Sequence, residues 1–368
     1  MTQGTQRWHL GQLDSLRFFS YVAVFICHTF ALTPASYIKY GLPEAVSTSL
    51  LPRIVTAGMY GVDMFFVLSS YLITKLILQE TDVFGILNVK QFYIRRALRI
   101  WPLYFLFIGV CVALGPKLIG FRPGAKEILA LSSMSANWLV VFGSSTGMAT
   151  GVLWSISVEE QFYVLWPLIV RRIKVANLWK FALGMIVFSL AARAILFTMH
   201  QSFDSIWCNT FARLDPIAMG ILLATRGSNS ILRLPLWSIW MSLVLIILSQ
   251  RYLPVDVNNT LAEATLGYLL PAICCAMILQ AFISKEADRG TLSRVTEYLG
   301  RISYGLYIWH GAMIDFWSSR THSTPKLIVL SFGSAIILAV ISYHCYEKFF
   351  LSLKGRFYPG AEIIKTNQ

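Results

Sequence analysis

Runs of about twenty apolar residues, each closed by a short polar and basic stretch, recur along the whole chain. Each run is long enough to cross the hydrocarbon of a bilayer as a helix. The pattern predicts membrane helices near residues 14–34, 57–79, 101–116, 152–170, 178–199, 211–226, 235–250, 264–283, 302–320 and 326–345. The stretch 128–142 is apolar but short, which fits a re-entrant or surface helix. No linker, low-complexity tract or repeat interrupts the series. The expected fold class is therefore all-α: a single polytopic membrane domain over 1–368, about ten helices in one bundle around a polar central cavity, with no fused extracytoplasmic domain.

Composition agrees with this pattern. The 368 residues are 56% hydrophobic and only 13% charged, against roughly 25% charged in a soluble domain. The net charge of +13 does not read as a nucleic-acid footprint, because the basic residues close apolar runs instead of clustering with aromatics. With the N-terminus cytoplasmic, 20 of the 31 Lys and Arg residues fall in inner segments and 8 in outer ones, while Lys75, Arg193 and Arg213 lie inside spans. That bias predicts a multi-pass topology with both termini in the cytoplasm. Of the six cysteines, Cys27, Cys111, Cys274, Cys275 and Cys345 sit in apolar runs and Cys208 near an outer boundary, so neither a zinc spacing nor a disulfide framework emerges. The sequence "ALTPAS" after the first run is a weak cleavage-like signal, and the segment is read as retained.

Several charged residues interrupt the apolar runs. In "LDSLRFFSYVAVFICH", Asp14 and Arg17 are one turn apart, and the eleven residues from Arg17 to His28 return to nearly the same helix face. The histidine then lies roughly 16 Å deeper than the arginine. Other spans contribute Asp63, Glu159, Arg193, Arg213, Asp215, His310, Asp315 and His344. An ion facing lipid costs about 2.5–3.5 kcal/mol or more, so these groups should turn towards partners or a wet chamber. The plain readings are an interfacial Asp14–Arg17 salt bridge, an Asp63–Arg213 ion pair, and a structural hydrogen bond for His344. Zinc held by His28, His310 and a carboxylate lacks any supporting ligand spacing.

A second cluster is "YIRRALRIWPLY". Arg95 and Arg99 are i,i+4 neighbours, and Arg96, Trp101 and Tyr104 stand beside them. Planar guanidinium forks suit phosphate oxygens. Anchoring to anionic lipid is the alternative use of the same residues.

Six stretches carry a resemblance: "LDSLRFFSYVAVFICH", "GVDMFFVLSSYLI", "FYIRRALRIWPLY", "LWSISVEEQFYVLWP", "RLDPIAMGILLA" and "LGRISYGLYIWH". In that order they resemble the membrane-bound acyltransferase family 3, over nearly the whole chain from Leu13 to Glu347. The resemblance implies a ten-helix domain of a bacterial inner membrane. Such a domain takes an acyl group, usually acetyl, from cytoplasmic acyl-coenzyme A to a hydroxyl of a carbohydrate or glycolipid acceptor. It also implies functional roles for Arg17, His28 and the Arg96–Arg99 pair, and matches Glu159 and His310 to family positions. Two departures stand out. The usual "SGYLI" reads "SSYLI", with Ser70 for glycine, and the usual "E-x-P" reads "EKF" after Glu347.

Taken together, the expectation is that Arg17, Arg95, Arg96 and Arg99, with Asp14, Trp101 and Tyr104 nearby, bind acyl-coenzyme A. His28 then acts as general base, Glu159 or Asp63 orients its imidazole, and His310, or a tryptophan or tyrosine donor such as Trp154, stabilises the oxyanion. No metal is invoked. Direct transfer and passage through acyl-His28, acyl-Ser69 or acyl-Ser70 both stay open. The rival readings are a proton-coupled transporter of a small anion or sugar, and an inactive family member acting as a scaffold.

Overall fold

The computed structural model describes residues 11–30, 49–144, 147–225, 234–256, 259–284, 290–321 and 323–357. Every regular element among them is helical. The first half of the chain forms α1 (Gly11–Thr29), α2 (Leu51–Ala57), α3 (Gly61–Phe84), α4 (Val89–Leu118), the short α5 (Ala125–Ser132), α6 (Ala136–Val141) and α7 (Gly147–Gly151), and α8 (Leu153–Arg172). The second half forms α9 (Leu178–Thr198), α10 (Phe203–Trp207), α11 (Leu214–Thr225), α12 (Trp237–Tyr252) and α13 (Leu261–Ser284). It ends with α14 (Thr291–Arg301), α15 (Ser303–Ser318), α16 (Thr324–Ser342) and α17 (Lys348–Leu353).

Five helical stretches among the described residues are long and apolar enough to cross a membrane: Leu51–Phe84, Val89–Leu118, Val175–Thr198, Leu261–Ser284 and Thr324–Phe357. They coincide with five of the ten predicted spans. The other five predicted spans fall on α1, α8, α11, α12 and α15, which are shorter or more polar. Three of these, α11, α12 and α15, are simply short, at 12, 16 and 16 residues, whereas α1 and α8 are 19 and 20 residues long and carry Asp14, Arg17 and His28, and Glu159, Glu160, Arg171 and Arg172. The stretch 128–142 is not one helix. It breaks between α5 and α6, where Met134 takes a left-handed backbone (φ 52°). The "ALTPAS" stretch, both chain ends, and Arg7, Lys39, Arg226, Arg233, Lys285, Arg289 and Lys365 lie outside the described residues.

The helix α3 stands at the centre, packed against α1, α8, α11 and α13. Glycines let several helices meet closely, most tightly at Gly220 and Gly300. A Cβ on Gly220 of α11 would lie 2.0 Å from Ser70 Oγ and 2.2 Å from Val67 O. The close approach to α3 therefore survives Ser70, because the missing side chain is on the opposite helix. A Cβ on Gly300 of α14 would lie 1.7 Å from the Asp14 carbonyl oxygen, so the start of α1 is seated directly on α14. Near the end of the chain, the helix continues through a π turn at Tyr343–Glu347 into α17. Phe349 occupies the position where proline would have broken it. Glu347 accepts a hydrogen bond from Ser342 Oγ at 3.0 Å.

Candidate active site

A cavity of about 760 Å³ follows one face of α3. Val62, Phe65, Ser69, Leu72, Leu76, Gln79 and Asp82 recur along it at helical spacing. At 1.5 Å per residue, that face runs about 30 Å. Ser155, Glu159 and Tyr163 face it from α8 with a spacing of four, and Ser303, Tyr304 and Tyr307 from the start of α15.

Among the described residues, five cations line the cavity: Arg17, Lys75, Arg96, Arg99 and Lys354. Arg17 Nη1 donates to Asp14 Oδ1 at 2.6 Å, the bridge the sequence suggested. The acidic side chains on the wall among the same residues are Asp82 and Glu159, leaving an excess of positive charge among them. Halfway along, Glu159 accepts hydrogen bonds from Ser69 Oγ (2.9 Å) and Tyr163 OH (3.2 Å).

Beyond the inner end lie the two histidines. The cavity stops at Val62, Phe65, Ser155 and Tyr307, and the Tyr307 ring stands 5.2 Å from that of His310. His310 is fully buried, with Tyr21 edge-on at 5.8 Å. Its Nε2 is 3.0 Å from His28 Nδ1, although 282 residues separate them. The two rings are tilted by only 3°, with centres 5.2 Å apart. Parallel rings cannot stack with atoms at 3.0 Å, so the rings lie edge to edge in one plane, as an in-plane nitrogen lone pair requires.

Hydrogen-bond logic fixes the tautomers of the neutral rings. The Tyr307 carbonyl, 2.5 Å from His310 Nδ1, can only accept. His310 Nδ1 therefore carries the proton and His310 Nε2 accepts. His28 Nδ1 must then donate, which leaves His28 Nε2 as the basic lone pair.

Several expected site residues are placed elsewhere. Glu159 bonds Ser69 and Tyr163 and does not touch His28; the partner of the imidazole is His310. Asp63 faces away from the cavity and pairs with Arg213, both fully buried. Its neighbours Arg193 and Asp215 form a second buried pair at 2.9 Å. Arg95 does not share the Arg99 environment: it is buried, paired with Glu80, and donates to the Phe357 carbonyl at 2.7 Å. Tyr104 is buried, its OH donating to Leu131 O at 2.9 Å. Trp101 donates to Glu160 Oε2 at 3.1 Å. Trp154 packs between Phe66 and Trp207. His344 meets Tyr298 OH at 3.0 Å, the structural bond expected of it. Among the described residues no group of three His, Cys, Asp or Glu side chains is placed to hold a metal ion.

The sequence reading missed Lys75, Lys354, Ser155, Tyr163 and Tyr307. Lys75 carried the clearest signal: a lone lysine inside an apolar run needs a wet surface to face.

Residues 10–344 match the family described as "Acyltransferase domain". The chain is similar to a Staphylococcus aureus (strain COL) protein named "Putative O-acetyltransferase", 26% identical over 322 residues, covering 80% of this chain and 52% of that one. It is also similar to the "Peptidoglycan O-acetyltransferase OatA" of Listeria monocytogenes, 28% identical over 326 residues, covering 79% of this chain and 51% of the relative. The chain thus spans about half the length of these relatives. No solved structure matches it.

Proposed function

The chain belongs to this acyltransferase family, and from that membership we propose that it transfers an acyl group, acetyl first, from acyl-coenzyme A to a hydroxyl of an envelope glycan such as peptidoglycan. The reading takes the five shorter or more polar helices as further spans. It thus has about ten helices around the cavity, with the basic mouth facing the cytoplasm of a bacterial cell. The observation that carries it is the line from the Tyr307 carbonyl through His310 to His28, which leaves one unprotonated nitrogen near the far end of the helix whose N-terminal half holds Arg17.

Distances support the donor. Arg17 and His28 are eleven residues apart on α1, about 16 Å along the axis. The arm of coenzyme A from sulfur to its nearest phosphorus is about thirteen bonds, each advancing an extended chain by about 1.2 Å, again about 16 Å. Phosphates at Arg17 and Arg99 thus place the thioester at the depth of His28. Lys75, Arg96 and Lys354 supply further positive charge to the nucleotide end, and Glu159 accepts from an amide N–H of the arm.

In the reaction, the acceptor hydroxyl gives its proton to His28 Nε2 while its oxygen attacks the thioester carbonyl carbon. The carbonyl re-forms as the C–S bond breaks, and the thiolate takes the proton back from His28. A positioned base of this kind contributes about 10²–10⁴ in rate. The test uses the purified protein in bilayer vesicles with acetyl-coenzyme A and muramyl-glycan fragments. Thiol release that depends on the acceptor, with acetylated glycan in the mass spectrum, is the expected result; no thiol release above the protein-free rate overturns it.

A further inference from the structure

Acyl transfer through His28 places negative charge on the thioester oxygen, and among the described residues the inner end of the cavity holds little that can receive it. Val62, Phe65 and Ile156 there are apolar. Among the described residues there, two hydroxyls remain, those of Ser155 and Tyr307. Their oxygens are 2.7 Å apart, and both reach the Val152 carbonyl, at 3.3 Å and 3.2 Å. One carbonyl is therefore served by two donors. Either hydroxyl can satisfy it, so the proton of the other can be redirected to a third oxygen without leaving a buried acceptor unpaired.

We propose that Tyr307 OH, backed by Ser155, is the oxyanion donor of this site. This rests on the acyl-transfer reading above. The assignment follows from position: Tyr307 lines the cavity, its ring is 5.2 Å from His310, and its own carbonyl fixes the His310 tautomer. One residue thereby sets the base through its main chain and receives the developing charge through its side chain. When the acceptor oxygen adds, the carbonyl π pair moves onto the thioester oxygen, which accepts the Tyr307 hydrogen bond. Ser155 then takes over the bond to Val152. As the C–S bond breaks, the pair returns to the carbon, the sulfur leaves as thiolate and is protonated by His28, and Tyr307 returns to Val152. No proton leaves the tyrosine.

The test is Tyr307→Phe in the full-length protein. The substitution keeps the ring against His310 and Phe65 and the carbonyl on His310 Nδ1. Removal of one oxyanion donor is expected to lower kcat by about 10²–10³. Affinity for S-ethyl-coenzyme A, a thioether without the carbonyl oxygen, should stay within about three-fold of the unaltered protein, since a donor used only by the oxyanion contributes nothing to binding it. Ser155→Ala, the second variant, should lower kcat by less. A Tyr307→Phe enzyme with kcat within about three-fold, or a loss that appears equally in thioether affinity, overturns the assignment. If Tyr307→Phe does not fold, a Ser155→Ala enzyme with unaltered kcat does so instead. Failure of the wider reading looks different: the unaltered protein would then release no thiol at all.

Discussion

Asp63 offers a quantitative separation of architecture from chemistry. Its carboxylate holds Arg213, and the guanidinium carbon lies 4.0 Å from the centre of the Trp207 ring. Both charged side chains are fully buried. In Asp63→Ala, Arg213 keeps the aromatic face but loses its counter-ion. Stripping one partner from a buried pair costs about 3–5 kcal/mol. At about 2.1 cal/mol/K per residue, a chain of 368 residues unfolds with an entropy near 0.8 kcal/mol/K, so that loss lowers the melting temperature by about 4–6 °C. The double variant Asp63→Leu, Arg213→Met removes both charges and should recover most of the loss, because desolvation of the pair offsets much of its attraction. Thermal unfolding in detergent, followed by tryptophan fluorescence, reads the shifts. Acceptor-dependent thiol release well below the transition reads the chemistry, which should stay within about three-fold in the double variant. An unshifted melting temperature for Asp63→Ala, or a hundred-fold loss of turnover in a stably folded double variant, refutes the structural role and returns Asp63 to the reaction.

Three further outcomes follow from other contacts. Lys75→Ala and Arg99→Ala should each weaken coenzyme A binding about ten-fold in low salt and less in high salt, whereas Arg95→Ala should reduce stability and leave affinity alone; isothermal titration at two ionic strengths distinguishes them. His310→Gln, whose side-chain oxygen can still accept from His28 Nδ1, should retain turnover within about ten-fold, while His310→Phe should lose about 10²–10⁴. Gly300→Ala forces a methyl to within 1.7 Å of the Asp14 carbonyl, so α1 and α14 must part at a cost of at least about 1–3 kcal/mol, seen as a lower melting temperature and weaker coenzyme A binding through displaced Arg17.

How much of this was legible beforehand depended on the range of each contact. The Asp14–Arg17 bridge and the Arg17-to-His28 spacing are properties of one helix, and periodicity gives both. The Asp63–Arg213 pair, 150 residues apart, was legible from charge balance, since two opposite ions buried in apolar runs seek each other. The His28–His310 contact was not: no local pattern shows that α15 brings its histidine to α1, and Glu159 looked the better partner because its expected depth matched that of His28 and a carboxylate can stabilise a protonated ring. Arg95 shows a different limit. The i,i+4 rule correctly places Arg95 and Arg99 near one face of α4, but not which neighbour each meets. The turn between α3 and α4 brings Glu80 back to Arg95, while Arg99 faces the cavity. Lys75 was passed over because one lysine in an apolar run resembles a residue reaching for the membrane surface. Of the five remaining predicted spans, α11, α12 and α15 fold as helices of 12, 16 and 16 residues, short for a membrane crossing, because periodicity does not fix where a helix ends. The other two, α1 and α8, are long enough but carry charged residues among their apolar ones.

The central claim is that the unprotonated nitrogen of His28 takes the acceptor proton. The most direct measurement is acceptor-dependent thiol release by His28→Ala, reconstituted in bilayers and shown to bind acetyl-coenzyme A as the unaltered protein does. A fall of about 10²–10⁴ in kcat at preserved donor affinity is the predicted result. Unchanged glycan acetylation by that variant contradicts it.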